Sequence, residues 1–421
     1  MYALIDCNNF YVSCERVFQP YLQAKAGCVL SNNDGCAIAR SEEAKALGVK
    51  MATPYFTIRD LHTQGKIWWR SSNYALYQDM MRRVKGIIKE FFPEQEIYSI
   101  DECFCDLSEY KLQDLETLGQ KLRQKIKQYT GIPVCVGIGA TKTLAKLANK
   151  IAKKQSGVHI LNTAYKIETA LKKTEIGDVW GIGPKYAVKL IKIGVNTAFH
   201  FINLPADYVQ TNMTIVGLRT WRELRGESCI DIELNPPDKK GISTARSFGK
   251  NETELAPMEE ALATYVANAA VKLRNQNSLC ANVFVFAHTS RFAVRNKIFS
   301  AGIDVRLATP TNITSELIEH AIYGLRKIYK KGPEYQKVGV YLTDLRPDTQ
   351  VQTALFDDKG EAKRQRLAKA TKAIDKLNLS MGRNAIQFGA MGFDQKWKMK
   401  QEYLSKRYTT RIEDVMIVKA C

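Results

Sequence analysis

Short apolar runs alternate with longer stretches of helical periodicity over the first 160 residues. Residues 2–5, 97–107 and 134–138 are rich in apolar side chains and predict strands. Residues 115–129 and 143–154 repeat their apolar positions at helical spacing, and a threonine opens the second stretch as a predicted N-cap. This alternation predicts an α+β or α/β core whose sheet is covered by helices on one face.

The rest of the chain divides into three further stretches. Residues 167–226 have a helical pattern throughout and predict a small helical module, whereas residues 228–241 contain adjacent prolines and several charges and predict a linker. A second α+β domain follows, and a polar segment after Arg346 leads into a predicted helix at residues 361–377. The elements predicted for the second domain are strand 242–248, helix 258–275, strands 281–288 and 297–307, helix 315–329 and strand 336–345.

Length and charge favour a multidomain protein that binds nucleic acid. A chain of 421 residues exceeds the usual size of one domain, and 45% hydrophobic residues can supply a core to each. Lysine and arginine total 62 against 43 acidic residues, for a net charge of +19. Such a surface neutralises phosphates and releases counterions. A basic surface can also bind anionic membranes or maintain solubility, so charge alone does not decide the partner.

The cysteines and the apolar runs predict a cytoplasmic protein with no membrane association. The ten cysteines show neither paired C-x-x-C spacing nor histidines at zinc-ligand distances, which favours free thiols in a reducing compartment. Met1 is not followed by a basic leader and an apolar run, and no stretch approaches the roughly 18 apolar residues of a membrane span.

Three acidic residues are candidates for a metal site. Asp6 follows the first predicted strand, and Asp101 and Glu102 interrupt the second, so all three could meet at one edge of a sheet. Converging carboxylates repel each other unless divalent cations neutralise them, and their hard oxygens suit Mg²⁺. Two such ions about 3.5–4 Å apart can activate a hydroxyl and stabilise a leaving group. Turn residues and surface charges have the same pattern, so both interpretations remain open on the residues alone.

The segments around these acids resemble motifs of a known enzyme family. Residues 6–11 (DCNNFY) and 98–102 (YSIDE) resemble the two metal-binding motifs of Y-family DNA polymerases. Residues 31–40 (SNNDGCAIAR) resemble the fingers segment of the polymerase V branch of that family. The similarity extends from Met1 to about Thr410 and therefore covers nearly the whole chain.

This resemblance implies an α+β multidomain fold in the shape of a right-hand polymerase. The palm is expected at residues 1–166, with small fingers inserted at about 19–77. A helical thumb with a helix-hairpin-helix motif is expected at 167–232, and an α+β little finger at 242–345. A C-terminal extension at 346–421 is expected to contain a clamp-binding peptide.

The resemblance also implies a role for individual residues. The carboxylates of Asp6, Asp101 and Glu102 and the main-chain carbonyl of Cys7 are expected to hold two Mg²⁺ ions, and Tyr11 to be the steric gate against ribonucleotides. The implied triphosphate-binding residues are Lys45 and Lys153, and those over the nascent base pair are Gly35, Cys36 and Ile38. Many family members have tyrosine and arginine three residues apart in the fingers helix where this chain has Glu42 and Lys45, and a lysine cannot form the bidentate arginine contact.

Two further motifs imply contacts with DNA and with other proteins. Residues 180–185 (WGIGPK) resemble a helix-hairpin-helix turn, in which Gly181, Gly183 and Lys185 would meet a DNA phosphate without reading sequence. Arg246 of the predicted little finger is a second expected contact with the DNA backbone. A short segment past that domain resembles the peptide with which bacterial polymerases bind the sliding clamp, and its expected anchors are Gln352, Leu355 and Phe356.

The implied function is error-prone, DNA-directed DNA synthesis across lesions in the SOS DNA-damage response. The substrates would be primer-template DNA and a dNTP, and no proofreading site is evident. Similarity in the C-terminal tail implies two further partners, a cleaved UmuD-like accessory dimer and a recombinase filament; a basic tail lying on DNA is the alternative. Alternative functions are a two-metal nuclease, a nucleotidyl cyclase and a non-catalytic DNA-binding scaffold of a repair complex.

Overall fold

Three β-sheets organise the described part of the chain, two in one folding unit and the third in another. The computed structural model describes residues 1–292, 298–349, 358–382 and 384–417. Unit 1 comprises Met1–Ser31, Gly35–Pro236 and Tyr403–Cys421, and unit 2 comprises Asn32–Asp34 and Pro237–Glu402. The nine cysteines within the described ranges are free thiols. Among the helices in those same ranges, none has the length and apolar character needed to cross a membrane.

Unit 1 combines short strands with helices of very different length. Its strands are β1 Tyr2–Cys7, β2 Gly27–Leu30, β3 Ala37–Arg40, β4 Trp68–Ser71, β5 Gln95–Ile97, β6 Glu102–Asp106, β7 Val134–Gly139 and β8 Val158–Leu161. Its helices are α1 Phe10–Phe18, α2 Glu42–Ala46, α3 Tyr55–Thr63, α4 Tyr74–Phe91, α5 Leu115–Thr130, α6 Lys142–Ala152, α7 Ala164–Lys173, α8 Pro184–Lys192, α9 Ala198–Ile202 and α10 Ala206–Leu224.

The five-stranded sheet of unit 1 has the order β5-β6-β1-β7-β8. Its central strand, β1, pairs antiparallel with β6 and with β7, and the register places Asp6 opposite Glu102 on one side and Cys135 on the other. Because residues directly opposite each other in a sheet point to the same face, Asp6 and Glu102 are neighbours.

Helices cover this sheet on both faces, so the prediction that only one face is covered is wrong. Alternate residues of β1, such as Ala3 and Ile5, pack with α4 and α5 in the main core of unit 1. On the opposite face α6 packs against the sheet, where Gly137 and Gly139 replace larger side chains. An added Cβ at Gly137 would overlap the backbone nitrogen of Asn149 in α6, so glycine is what permits this close approach.

Two smaller assemblies complete unit 1. The strands β2, β3 and β4 form a three-stranded sheet in the order β3-β2-β4, with its own core around Cys28, Leu30 and Trp69. The helices α7 to α10 enclose a separate apolar core to which Leu144 and Leu147 of α6 also belong. The predicted helical module is therefore present and shares its core with a helix of the sheet domain.

Unit 2 is built on one antiparallel sheet. Its elements are β9 Ile242–Glu252, α11 Leu255–Asn275, β10 Ser278–Thr289, β11 Ser300–Thr311, α12 Thr314–Ile328, β12 Tyr335–Pro347 and α13 Asp358–Met381. The strands lie in the order β11-β10-β12-β9, and α11 and α12 share the buried core of the sheet. The guanidinium of Arg274 donates two hydrogen bonds, of 2.6 and 2.8 Å, to Asp375, which fixes α13 to this domain.

The structure changes two local predictions near the acidic residues. Residues 97–107 were expected to form one strand, but β5 and β6 form a hairpin, so Asp101 and Glu102 lie where β6 begins. The hydroxyl of Thr141, rather than Thr143, caps α6 by accepting a hydrogen bond from the Leu144 amide. At this turn the side chains of Asp101 and Glu102 are partly exposed, so the high cost of burying ionised groups inside a strand does not arise.

The contact between α6 and the sheet makes Gly137 a test of this packing. We expect Gly137→Ala to lower the free energy of unfolding by about 3 kcal/mol, because the added methyl overlaps backbone that cannot move aside. Gly86→Ala is the matched control: Gly86 is exposed within α4, and an added Cβ meets no atom within 4 Å. It should stabilise the protein by about 0.5–1 kcal/mol. Equal stability of the two variants in chemical denaturation would contradict the close approach.

Candidate active site

Two carboxylates meet on the face of the sheet that α6 covers. Asp6 near the end of β1 lies opposite Glu102 at the start of β6. The Cys7 amide donates a 3.0 Å hydrogen bond to the Asp101 carbonyl, which extends the pairing beyond β6. Asn149 of α6 donates hydrogen bonds to the Leu4 carbonyl (3.0 Å) and the Cys135 carbonyl (2.9 Å), so it fixes β1 and β7 beside Asp6.

Two lysines of α6 and its C-terminal cap neutralise these carboxylates. The Lys153 ammonium lies 2.8 Å from Asp6 Oδ1, and the Lys146 ammonium donates a 2.9 Å hydrogen bond to Glu102 Oε2. The lysines are seven residues apart, which is two helical turns, so they lie on one face of the helix. The paired acids therefore attract positive charge, as a site for cations must.

Burial controls the protonation of Asp6. Desolvation raises the pKa of its carboxyl to about 7, the Lys153 ammonium opposes this rise, and the negative charge of Glu102 adds to it. The same burial raises the pKa of the Cys7 thiol well above its ordinary value. The Cys7 side chain therefore stays a neutral thiol.

Ser99 organises the third acid. Its hydroxyl donates a 2.6 Å hydrogen bond to Asp101 Oδ1 and accepts hydrogen bonds from the amides of Asp101 (3.2 Å) and Glu102 (3.0 Å). The described residues contain no group of three histidine, cysteine or acidic side chains already arranged to hold a metal ion. The structure thus brings Asp6 and Glu102 together, whereas the Asp101 carboxylate accepts a hydrogen bond from Ser99 in the turn before β6.

The donor set at this site nevertheless suits hard divalent cations. Carboxylate and main-chain carbonyl oxygens are the ligands that Mg²⁺ prefers. Two neighbouring carboxylates at a largely buried position need a counter-charge, and Lys146 and Lys153 contribute to it.

Aromatic residues form one wall of the site. The Trp180 indole donates a 3.0 Å hydrogen bond to the Tyr98 hydroxyl, and the Lys146 ammonium lies 4.4 Å from the centre of the Tyr98 ring and 5.4 Å from that of Trp180. Asp6, Glu102, Lys153 and Trp180 line a cleft of about 290 Å³. The glycine turn that follows Trp180 therefore begins at the edge of this cleft.

The turn after Trp180 contains two glycines and leads directly into a helix. Gly181 has a φ of +90°, which favours glycine, and α8 begins at Pro184 directly after Gly183. Gly181, Gly183 and Lys185 are all exposed, so their backbone amides and the ammonium can reach a ligand from solvent. In unit 2, Arg246 is exposed on β9.

Tyr11 and Lys45 lie near the start of α1. The Tyr11 ring is half-buried and stacks on Tyr77, with ring centres 4.4 Å apart and planes 15° apart. The Lys45 ammonium donates hydrogen bonds to Asn9 Oδ1 (3.0 Å) and Glu42 Oε1 (2.6 Å), and this contact lowers the pKa of Glu42. Both side chains therefore have definite positions beside the N-terminus of α1.

Three of the remaining predicted residues lie at or just before β3. Gly35 is exposed, Cys36 is half-buried, and Ile38 of β3 packs against the main core of unit 1. The expected clamp anchors Gln352, Leu355 and Phe356 lie outside the described residues.

Sequence reasoning missed two residues of the site. Lys146 pairs with Glu102, and its spacing of seven from Lys153 in a predicted helix was a usable signal. Ser99 lies within the quoted motif at residues 98–102, two positions before Asp101, where a serine can hydrogen-bond to the turn that it belongs to.

Comparison with known structures gives the class of fold. A solved structure described as "Y-family DNA polymerase chimera Dbh-Dpo4(243-245)-Dbh" superimposes with a TM-score of 0.64 and 20% sequence identity, over 82% of this chain and 99% of that one. The fold is therefore that of a Y-family DNA polymerase, as the sequence motifs predicted.

Comparison with family models and relatives identifies the family. Models described as the impB/mucB/samB family, its C-terminal domain and a domain of unknown function (DUF4113) match residues 5–150, 239–355 and 368–418. Protein UmuC of Salmonella typhimurium strain LT2 is 41% identical, and Protein ImpB of Salmonella typhimurium 40%, each over the full length of both chains. The chain belongs to the impB/mucB/samB family, which confirms the resemblance to the polymerase V branch and places the chain among the DNA polymerases.

The raised pKa of Asp6 predicts a pH-dependent cost of keeping its carboxylate buried. At pH 8 the folded protein holds an ionised Asp6, so Asp6→Asn should raise the free energy of unfolding of the metal-free protein by about 2–4 kcal/mol. As the pH falls through 7 the wild-type carboxyl takes up a proton, and the advantage of the variant should shrink by more than half at pH 5. Denaturant unfolding at several pH values measures this difference.

Asp60→Asn is the control for that experiment, because Asp60 is exposed on α3. It should leave stability nearly unchanged at each pH. An Asp6→Asn variant that is less stable than wild type at pH 8 would show that the ion pair with Lys153 outweighs the cost of burial.

Proposed function

We propose that this protein is an error-prone, DNA-directed DNA polymerase that synthesises DNA across template lesions in the SOS DNA-damage response. The observation that carries the proposal is the pairing of Asp6 with Glu102 close to two lysines. Two-metal nucleotidyl transfer needs neighbouring carboxylates that can hold divalent cations. Membership in the impB/mucB/samB family supports the same reaction.

Divalent metal ions, Mg²⁺ in this proposal, would be held by the carboxylates of Asp6, Asp101 and Glu102 and the carbonyl of Cys7. When bound there, two such ions would supply the Lewis acidity for activating the primer 3′-hydroxyl and stabilising the pyrophosphate leaving group. Ser99 orients Asp101 through its 2.6 Å hydrogen bond. Lys153 would bind the triphosphate, because its ammonium lies beside the carboxylates and its side chain is 43% exposed.

The dNTP would lie between α1 and the three-stranded sheet. Lys45 would bind the triphosphate together with Lys153, and the Tyr11 ring would lie under the deoxyribose, where a 2′-hydroxyl clashes with it. Gly35, Cys36 and Ile38 would lie over the nascent base pair. Since Gly35 has no side chain and Cys36 has a small one, this surface leaves room for a damaged template base.

DNA would be bound through its backbone. The turn at Gly181 and Gly183 would bind a phosphate with its amides, assisted by Lys185, and Arg246 would make a second contact. The net charge of +19 agrees with a long phosphate contact. We assign the palm to residues 1–166 with fingers at about 19–77, the thumb to 167–232, the little finger to 242–345 and a C-terminal extension to 346–421.

The proposed partners and location follow from the same family. The sliding clamp would bind Gln352, Leu355 and Phe356, and the tail would contact a cleaved UmuD-like accessory dimer and a recombinase filament. A bacterial protein with these partners works in the cytoplasm, on the nucleoid.

Primer extension on damaged and undamaged templates tests the polymerase assignment. Wild-type protein with Mg²⁺, dNTPs, clamp and candidate partners should extend the primer past the lesion with release of pyrophosphate. Asp101→Ala/Glu102→Ala should lose at least about 1,000-fold in rate, because it removes two of the three metal-binding carboxylates. Asp114→Ala/Glu116→Ala, an acidic pair at the start of α5, is the control and should extend normally.

Each alternative function predicts a different result in this assay. Shortening of the primer, abolished by the same double variant, would identify a two-metal nuclease. Binding of DNA without extension by wild type, in the presence of all partners, would favour a non-catalytic scaffold.

The clamp peptide is tested by removing its apolar anchors. Leu355→Ala/Phe356→Ala should lower clamp-stimulated synthesis at least about tenfold, because apolar anchors dominate such contacts, and should leave clamp-free synthesis intact. Leu379→Ala/Met381→Ala removes two exposed apolar side chains at the end of α13 and is the matched control. An equal loss with and without clamp would contradict a docking role.

A further inference from the structure

A buried carboxylate lies beneath the proposed sugar gate. Glu15 is fully buried on α1, four residues after Tyr11, so both side chains lie on one side of the helix. Its Oε1 accepts hydrogen bonds from the Tyr77 hydroxyl (2.7 Å) and the Ser405 hydroxyl (2.9 Å), and its Oε2 accepts one from the Gln19 amide (3.0 Å). Burial raises the pKa of Glu15, and the hydrogen bonds from Tyr77 and Ser405 oppose that rise.

This carboxylate fixes the ring against which Tyr11 stacks. Tyr77 is fully buried, and its hydroxyl is held by Glu15 while its ring lies 4.4 Å from that of Tyr11. Tyr74 meets the Tyr11 ring edge-on at 6.0 Å and the Tyr77 ring edge-on at 6.3 Å. The position of the Tyr11 ring relative to α4 therefore depends on where Glu15 holds the Tyr77 hydroxyl.

The second donor to Glu15 comes from the far end of the chain. Residues 403–406 lie along β4 and the start of α4, where the Ser71 amide donates to the Tyr403 carbonyl (3.1 Å) and the Tyr403 amide donates to the Ser71 hydroxyl (3.0 Å). The side-chain amide of Asn73 donates to the Ser405 carbonyl (3.2 Å), the Ser405 hydroxyl (3.0 Å) and the Lys406 carbonyl (3.2 Å). The Ser405 hydroxyl thus joins Asn73 to Glu15.

We propose that residues 403–406 position the sugar gate, through Ser405, Glu15 and Tyr77, and so set how strongly the enzyme rejects ribonucleotides. The inference rests on the proposed polymerase function and on Tyr11 as its gate. It assigns a role to part of the segment at residues 368–418 that matches a domain of unknown function. Ser405, Glu15 and Tyr77 are positioning residues, because they act on the substrate only through the Tyr11 ring.

This role depends on the position of the Tyr11 ring rather than on how much the network contributes to stability. A steric gate discriminates through a clash between one ring and one hydroxyl, and a displacement of about 1 Å at a reacting site can change rates by about a hundredfold. Loss of one hydroxyl from the network leaves Glu15 with fewer donors and lets Tyr77 and Tyr11 move together. We therefore expect the preference for deoxyribonucleotides over ribonucleotides to change more than the rate of DNA synthesis does.

The experiment compares full-length variants in single-nucleotide incorporation of dCTP and rCTP opposite template dG. The readout is the ratio of kcat/KM for dCTP to that for rCTP. Ser405→Ala and Tyr77→Phe each remove one hydroxyl and should lower this ratio by about tenfold, because the Tyr11 ring is then no longer held at one position. Tyr11→Ala, the reference, should accept ribonucleotides far more readily than either.

Two control variants also lose one hydroxyl each. Tyr110→Phe removes a donor to the Phe91 carbonyl, and Ser156→Ala removes a donor to the Val158 carbonyl. Both should retain the wild-type ratio. A general loss of stability would lower kcat/KM for both nucleotides equally and leave the ratio unchanged, so an unchanged ratio in Ser405→Ala and Tyr77→Phe overturns the proposal.

Failure of the underlying function gives a different result. If Tyr11→Ala also keeps the wild-type ratio, or wild type incorporates nothing, then the gate or polymerase assignment is wrong. Hydrogen exchange decides the positioning role without activity: Ser405→Ala should speed exchange in peptides from α1 and the first turns of α4 and leave α5 unchanged. Wild-type exchange in α1 of that variant would overturn the proposal as well.

Discussion

The pairing of two carboxylates on a largely buried face of a sheet is the constraint on which the site depends. Asp6 and Glu102 are brought together by the antiparallel register of β1 and β6, and desolvation makes their charges costly. The protein meets that cost with Lys146 and Lys153, both carried by one helix. This accounts for the two glycines of β7, Gly137 and Gly139, because α6 must approach the sheet closely for its lysines to reach the acids.

The two ion pairs differ in how firmly each lysine is held. An ammonium on a flexible stem can be exchanged, whereas a buried arginine fork with two fixed bonds is harder to displace. The side chain of Lys153 is 43% exposed and that of Lys146 only 16%, so the partner of Asp6 is the freer of the two to leave. The aromatic wall of Tyr98 and Trp180 holds Lys146 in place over Glu102.

Local pattern predicted most strands and helices, because periodicity is a property of short segments, and short motifs made Asp6, Asp101 and Glu102 the candidates for the site. It did not predict the turn at Asp101, since the apolar residues on either side read as one continuous strand. It also did not predict that helices cover both faces of the sheet. Gly137 and Gly139 allow α6 to approach the second face, but in the sequence alone they are simply residues that rarely favour a strand. The bond between Ser405 and Glu15 joins residues 390 positions apart, and no local signal marks either one as a partner of the other.

That long-range bond has a consequence for how the protein is made. Unit 1 contains both Met1 and Tyr403, so α1 and α4 acquire their contact with residues 403–406 only after residues 237–402 of unit 2 have been synthesised. At ribosomal speeds of about 5–20 residues per second, α1 and α4 wait tens of seconds for Ser405 to emerge. Until then Glu15 has only the donors Tyr77 and Gln19, and the side-chain amide of Asn73 lacks its acceptors in Ser405 and Lys406. The network around Glu15 and Tyr77 is therefore completed only after unit 2 has been synthesised, which makes the final packing of α1 one of the later steps of folding on the ribosome.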